Sequence, residues 1–552
     1  MPIETNRPRS VRLSPALAAL LLLALAGLPV GAAPGVGVST VRARYLSYQP
    51  IAEWTPDAGE GFGSAVASGD FNGDGADDLA VGVPHDDGLN GATISSGIAF
   101  VYYGIPGRGL QTSGSTTVLR LAAPQVLSGF ATALATGDFN GDSFDDLAVG
   151  VPAYGLNRGS SLEDQGIVAI HYGSSSGLED IGSDWVVQGD DGGTHDQFGS
   201  VLAVGDFNGD FLDDLAVGMP YAQRIVGEKQ ISGGVVRVFH GPDLAADPGF
   251  EVSELDVQIP GDFESGDYFG FALAAGNFNG DERCGEFGCT PLDDLAIGAP
   301  GELFGQGKVL VLFGSPFSLL FGSSLWYGEG QLGGTPTDHV QFGNALAAGN
   351  FNGGAADDLL VAAPYRTLSG ASWAGEVTVL YGSTEYVDGS WFDLAGTRRL
   401  SQTTFYGAAA NGHSDLFGWS LAVGDFDRDG FDDAAVSHPG EAMGLETFSR
   451  GGFSVLTGND SNPPGPGRYY RFFGAGFAGV PIAAADYDNF GSVLGSGDFD
   501  GNGHADLVIG VPAHDVAGIG ENAGAAVVLY GSLFSDGLEW NGSLILWSDS
   551  VP

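Results

Sequence analysis

The sequence predicts an all-β protein, one seven-bladed β-propeller of four-stranded blades, and three observations predict it. First, the stretch GDFNGDGADDLAVGVP (Gly69–Pro84) recurs as GDFNGDSFDDLAVGVP (Gly137–Pro152) and GDFNGDFLDDLAVGMP (Gly205–Pro220). Looser copies open at Asn277, Asn350, Asp425 and Asp498, so seven copies stand at spacings of 68 to 75 residues. A regular period of this length marks one supersecondary unit in tandem. Second, glycine is very frequent (93 of 552 residues) and hydrophobic content is 43%. Short strands joined by glycine turns fit that composition better than helices or disorder. Third, each unit holds four strand-like segments. One four-stranded sheet cannot bury both its faces, and radial stacking of about four to eight such sheets leaves only short, protected edges. An open β-solenoid would need shorter, stricter repeats.

The elements follow in order. Arg7, Arg9 and Arg12 precede the apolar run Ala16–Leu28, and Val30–Ala32 offers small residues before a cleavage point. This is the layout of a secretory signal over residues 1–32, too short for a spanning helix of about 20 residues. No Cys follows the run, which argues against a lipid anchor, and no later run is long enough to cross a membrane. Residues 33–60 lead into the propeller at 61–552, with blades at about 61–128, 129–196, 197–267, 268–340, 341–415, 416–488 and 489–552. Each blade opens on a Phe-Gly pair: Phe62-Gly63, Phe130-Ala131 (the one departure), Phe198-Gly199, Phe269-Gly270, Phe342-Gly343, Phe417-Gly418 and Phe490-Gly491. Small or apolar residues come next (Ser64–Ser68), then the acidic loop, then an apolar run ending at a proline: Pro84, Pro152, Pro220, Pro300, Pro364, Pro439 or Pro512. A β-rich segment ending in glycine forms the third strand, as in Ile98–Gly104, and a less regular fourth follows, as in Thr116–Leu121 or Trp185–Gln188. The last blade has two candidates for its outer strand, Tyr45–Gln49 and Ser543–Trp547. The C-terminal one is expected, because it follows Ala525–Gly531 at the offset of the other copies.

The acidic loops carry the chemistry. In the first, Asp70, Asn72, Asp74 and Asp78 stand at positions 1, 3, 5 and 9, and alternate side chains of a tightly curved loop converge. The backbone carbonyl of Ala76, at position 7, fills the gap. Hard oxygen ligands in this number suit Ca²⁺. An EF-hand requires Glu at position 12, where Val81 stands. The equivalent sets are Asp138, Asn140, Asp142, Phe144, Asp146; Asp206, Asn208, Asp210, Leu212, Asp214; Asp425, Asp427, Asp429, Phe431, Asp433; and Asp498, Asp500, Asn502, His504, Asp506. In the fourth copy an insertion separates Asn277, Asn279 and Asp281 from Asp294, and in the fifth Asn350, Asn352 and Gly354 leave Asp358 as the lone carboxylate among these positions. Five calcium sites are expected, with the fourth loop a weaker sixth and the fifth loop empty. Asp and Asn also favour turns for their own hydrogen bonding. Asp at position 9 of every copy is more than turn chemistry demands.

The Phe-Gly pair, the D-x-[DN]-x-D-x-x-D-D loop and the GxP ending resemble the FG-GAP repeat of the integrin α-chain N-terminal propeller, over about residues 61–531. The resemblance implies that each calcium loop is a β-hairpin joining the first and second strands of a blade. It does not carry over heterodimer formation: no leg domain, membrane span or cytoplasmic tail is recognised, and a monomer is expected.

A net charge of −48, with 68 acidic against 20 basic residues, disfavours nucleic acid and anionic membranes. The only cysteines, Cys284 and Cys289, lie in the fourth-loop insertion. In a secreted chain such a pair forms a local disulfide, with a two-cysteine metal site as the alternative. His195, His339 and His413 precede Phe-Gly pairs, while His85, Trp373 and His514 follow GxP prolines. These connections share the face opposite the acidic hairpins, a candidate ligand face as against scattered solvated residues. No G-x-S-x-G or H-E-x-x-H motif occurs. The expectation is a secreted, extracellular or periplasmic recognition module for protein or glycan. The alternative is a hydrolase or lyase acting on polysaccharide or glycolipid, since similar propellers accompany such enzymes.

Overall fold

The computed structural model describes Ala43–Ser47 and most of residues 59–531. Outside the described residues lie 1–42, 48–58, 88–94, 112–115, 156–163, 181–183, 189–194, 227, 256–263, 286–287, 404–411, 442–448, 460–468, 474–487, 516–520 and 532–552. The expected signal and the Ser543–Trp547 segment fall there.

Seven four-stranded antiparallel sheets form the protein. Blade 1 runs Ala65–Gly69, Asp78–Val83, Ile98–Tyr102, Thr116–Leu119, in that spatial order, and the other blades repeat it. The first strands of successive blades contact one another around the whole ring, the first strand of blade 7 meeting that of blade 1. They therefore line the axis. Each second strand is covered on both faces by neighbouring blades, and DLAVGV at Asp78–Val83 is buried at every residue. That double burial is why these strands read as continuous apolar runs rather than alternating ones. The core is a set of layers between blades. One layer joins Phe62, Leu79, Val81 and Phe100 of blade 1 to Phe499, Val508 and Val528 of blade 7.

The Phe-Gly pair is the hinge between blades. Its phenylalanines are buried, and in five blades the ring-bearing residue bridges to the glycine that precedes a third strand, as Phe62 does with Gly524 and Phe198 with Gly166. The partner glycine of the pair is required by conformation and space. Gly63 has φ +87°, and a Cβ on it would lie 2.6 Å from the Ala525 carbonyl oxygen. In blade 2 Ala131 holds the same place at φ +65°.

Ring closure corrects the sequence expectation. The outer strand of blade 7 is N-terminal: Ala43–Ser47 pairs antiparallel with Ala525–Leu529, Ala43 opposite Leu529 and Ser47 opposite Ala525. Equal offset along the chain favoured the C-terminal segment, but an open edge is satisfied by any strand that reaches it. Among the described residues, three additional two-stranded hairpins decorate the ring, at Gln223–Ser232, Glu282–Pro291 and Gly382–Phe392. The second is the fourth-loop insertion. Cys284 stands opposite Cys289 in it, and the two are joined as a disulfide. Among the described residues no helix is long and apolar enough to cross a membrane.

Candidate metal centres and the opposite loop face

Each acidic loop connects a first and a second strand, tightly in every blade but the fourth, so its residues stand at one end of the blade. Position 1 folds back over the loop. Asp70 accepts from the backbone N–H groups of Asp74 and Gly75, and Asp206 from those of Gly209, Asp210 and Phe211. Position 5 caps position 7: Ala76 N–H donates to Asp74 Oδ1, and His504 N–H to Asn502 Oδ1. These bonds hold the curvature and leave further oxygen lone pairs facing the loop centre.

Position 9 has a structural duty in all seven copies, which turn chemistry alone does not reveal. Asp78, Asp146, Asp214, Asp294, Asp358, Asp433 and Asp506 are all fully buried. Each accepts the N–H of the glycine that ends the third strand of its own blade, from Gly104 to Asp78 at 2.7 Å through Gly531 to Asp506 at 2.6 Å. A second bond comes from the position-2 phenylalanine N–H, as from Phe139 to Asp146. Burial pushes these carboxyls up, to about 8 in Asp78, Asp214, Asp358, Asp433 and Asp506, and to about 7 in Asp146. Asp294 is raised well above the usual range for the same reason.

The neighbouring aspartate, position 8, was given no role by the sequence reading. It clamps one blade to the next. Asp70 N–H donates to Asp145 Oδ2 at 2.8 Å while Asp145 N–H donates back to the Asp70 carbonyl. The same exchange joins Asp138 to Asp213, Asp206 to Asp293, Asn277 to Asp357, Asn350 to Asp432 and, across the ring closure, Asp498 to Asp77. Between blades 6 and 7 Ala505 replaces the aspartate and only its backbone bond to Asp425 remains. The signal was the first D of the D-D pair in six copies, read only as part of a motif.

The loops differ as donor sets. In the sixth, Asp425, Asp427 and Asp433 bring carboxylate oxygens within 4.8 Å of one another, and in the seventh Asp498, Asp500 and Asp506 do the same. In the first and third, position 3 is an asparagine whose Nδ2 faces position 9: Asn72 to Asp78 at 3.1 Å and Asn208 to Asp214 at 3.2 Å. Asn140 instead accepts the Asp142 N–H in the second. Carboxylate and carboxamide oxygens are the donors a hard divalent cation takes, so the residues present fit one. In the fourth loop one oxygen of Asp281 is buried without a partner among the described residues, while Asn277 and Asn279 bond to Asp281. In the fifth loop Asn350 Nδ2 donates to the Gly354 carbonyl and Asn352 Nδ2 to Asp358, while Asn350 Oδ1 is buried without a partner among the described residues. Position-7 side chains reach across to the preceding loop, the Phe144 ring lying against Gly73 and Leu212 against Gly141. The disulfide hairpin does likewise, Arg283 donating to the Asn208 carbonyl at 3.0 Å.

On the opposite face His85, His195, His339, Trp373 and His413 are exposed, spread over several blades. His514 is not part of an exposed surface: it is buried, with Nδ1 3.0 Å from Asp488 Oδ2. His195 lies 3.5 Å from Asp164. His413 lies beside the Trp373 loop, the neighbouring Ser372 N–H donating to His413 Nδ1. Sequence reasoning missed two companions, Tyr365 and Trp419. Tyr365 packs edge-on against both Trp373 and Trp419, which are 51% and 38% exposed.

The FG-GAP repeat family matches residues 62–96, 130–171, 198–235, 417–455 and 490–529. These lie in blades 1, 2, 3, 6 and 7. Blades 4 and 5, with the inserted and the depleted loops, have the same four-stranded sheet. Among curated relatives, integrin alpha-PS2 of Drosophila melanogaster is 28% identical over 244 residues, 43% of this chain and 15% of the relative. Phosphatidylinositol-glycan-specific phospholipase D of Bos taurus is 28% identical over 391 residues, 68% of this chain and 43% of that enzyme. Integrin alpha-V of Gallus gallus is 31% identical over 182 residues, 32% and 15% of the two chains. The chain thus spans less than half the length of each. Repeats, loops and blade order together show a propeller of FG-GAP repeats that is similar to the integrin α chains.

Proposed function

We propose that this propeller is a calcium-stabilised recognition module, secreted, whose loop face opposite the hairpins binds a protein or glycan. The observation that carries the recognition reading is the half-exposed Trp373–Tyr365–Trp419 cluster with His413 beside it. Aromatic rings held on a rigid frame supply apolar contact at low entropic cost and stack well against sugar or side-chain surfaces. Calcium belongs to the frame, in the first, second, third, sixth and seventh loops, more weakly in the fourth, and not in the fifth. There it would be held by the oxygens at positions 1, 3, 5 and 9 and the carbonyl at position 7. It would neutralise carboxylates that the loops crowd together.

A glycan-array and matrix-protein screen, run in calcium and again in chelator, tests both halves. A ligand should be found whose binding is lost in a Trp373→Ala, Trp419→Ala variant with an unchanged melting temperature. Chelator should lower that temperature, each site contributing about 2.7 kcal/mol at ~100 times its dissociation constant. Equal melting with and without chelator would remove calcium from the account. Binding untouched by the double variant would move the ligand site elsewhere.

The match to phospholipase D favours a second reading, a hydrolase acting on glycolipid or polysaccharide. More than half of that enzyme lies outside the matched stretch. Turnover of a glycolipid or polysaccharide by the purified protein would establish the second reading over the first.

A further inference from the structure

On the loop face, several blade junctions bury polar side chains at two or three equivalent places. One stands two residues after a fourth strand, one two residues before the Phe of the next pair, and one two residues after the following GxP proline. At most of these junctions an acid meets a cation or an amide. Asp196 faces Arg224 at 3.2 Å, Glu329 pairs with Arg366, Gln402 donates to Glu441, and Asp488 meets His514 at 3.0 Å. Between blades 3 and 4 all three places hold acids: Glu254, Asp267 and Glu302. All three are buried, at 7%, 3% and 4% exposure, and bring carboxylate oxygens within 4.8 Å of one another.

Lys308 Nζ, 2.7 Å from Glu302 Oε1, answers one of these charges. Asp267 Oδ2 accepts the Glu264 N–H. Glu254 Oε1 is buried and, among the described residues, has no hydrogen-bond partner. A buried acceptor left unmatched is costly. Glu254 and Asp267 share a side-chain hydrogen bond, so one proton stands between these two carboxyls, and a divalent cation can take its place. We infer that this junction is a binding site for one divalent cation of the hard, oxygen-seeking kind, calcium first, held by Glu254, Asp267 and Glu302. A doubly charged ion neutralises the cluster with Lys308 in place, and the all-oxygen donor set excludes softer metals. The site is separate from the hairpin loops, at the other end of the blades. It ties the exit of blade 3 to two loops of blade 4.

Ion counting by mass spectrometry on the full chain, dialysed against calcium, tests it. Glu254→Gln and Asp267→Asn should each bind one calcium fewer than the parent. Each should lower the melting temperature in calcium and leave it unlowered in chelator. Asp427→Ala in the sixth hairpin should subtract its own ion independently, so the two readings fail separately. Crystals of the parent protein grown in Mn²⁺ should show an anomalous peak among the three carboxylates. An unchanged ion count in the Gln and Asn variants, with raised stability in chelator, would mean that shared protons hold the cluster and would overturn the inference. If those variants do not fold, the absence of a Mn²⁺ peak in the parent overturns it equally.

Discussion

Adjacent aspartates of one D-D pair do different work because consecutive strand-entry residues point in opposite directions. In the second blade Asp146 turns inward to the Gly173 N–H of its own sheet, whereas Asp145 turns outward to the Asp70 N–H of the blade before. Removing the outward one strands a backbone donor at a blade junction. Asp145→Ala should therefore cost about 1–3 kcal/mol, while Asp145→Asn, which keeps an acceptor oxygen, should stay close to the parent. Urea unfolding of the two variants checks this, and equal losses would mean the clamp depends on charge rather than on the bond. Counting residue types in the motif cannot separate these duties. Asp at position 9 of every copy looked like a metal signature, yet it persists in the fifth loop, where Asp358 bonds to Gly382 and Phe351 N–H without other carboxylates at the ligand positions. The repeated position is explained by the backbone; positions 1, 3 and 5 carry the information about a cation.

Most elements of a blade were legible because each strand's surroundings recur in every copy. The second strands read as apolar runs since both faces are covered, and the third strands likewise. The decorations and the closing strand were not legible. The Gln223–Ser232 and Gly382–Phe392 hairpins project from connections whose sequences carry no repeat. Closure by Ala43–Ser47 depends on which segment can reach Ala525–Leu529 in space. Deleting residues 34–47 should expose that edge and lower the melting temperature more than truncation after Ser535 does. The reverse ranking in thermal melts would transfer closure to the C-terminal segment.

Across the whole ring, the buried position-9 carboxyls make stability depend on pH. Asp358 is the cleanest probe, in a loop for which no cation is proposed. Burial raises its carboxyl to about 8, far above the ordinary value of 3.8, so the folded state holds a proton that the unfolded chain releases. Its stabilising share is complete below about 4 and is lost as pH rises through about 8. In chelator the melting temperature should therefore fall between about pH 5 and 8, and Asp358→Asn should fall less steeply over that window. Parallel slopes for parent and variant would show that Asp358 is ionised throughout.

The sequence by itself determined the repeat, the all-β class and the number of blades, because a period near 70 residues and a continuously apolar second strand are properties of the chain alone. It also located the acidic loops, whose spacing is local. Only the tertiary structure decided what crosses between repeats. Asp145 clamps Asp70 from 75 residues away, Ala43–Ser47 completes a sheet whose next strand begins at Ala525, and Glu254, Asp267 and Glu302 meet at one junction. Such contacts are made by the geometry of closing a ring, and sequence periodicity records each unit but not the faces that two units present to each other.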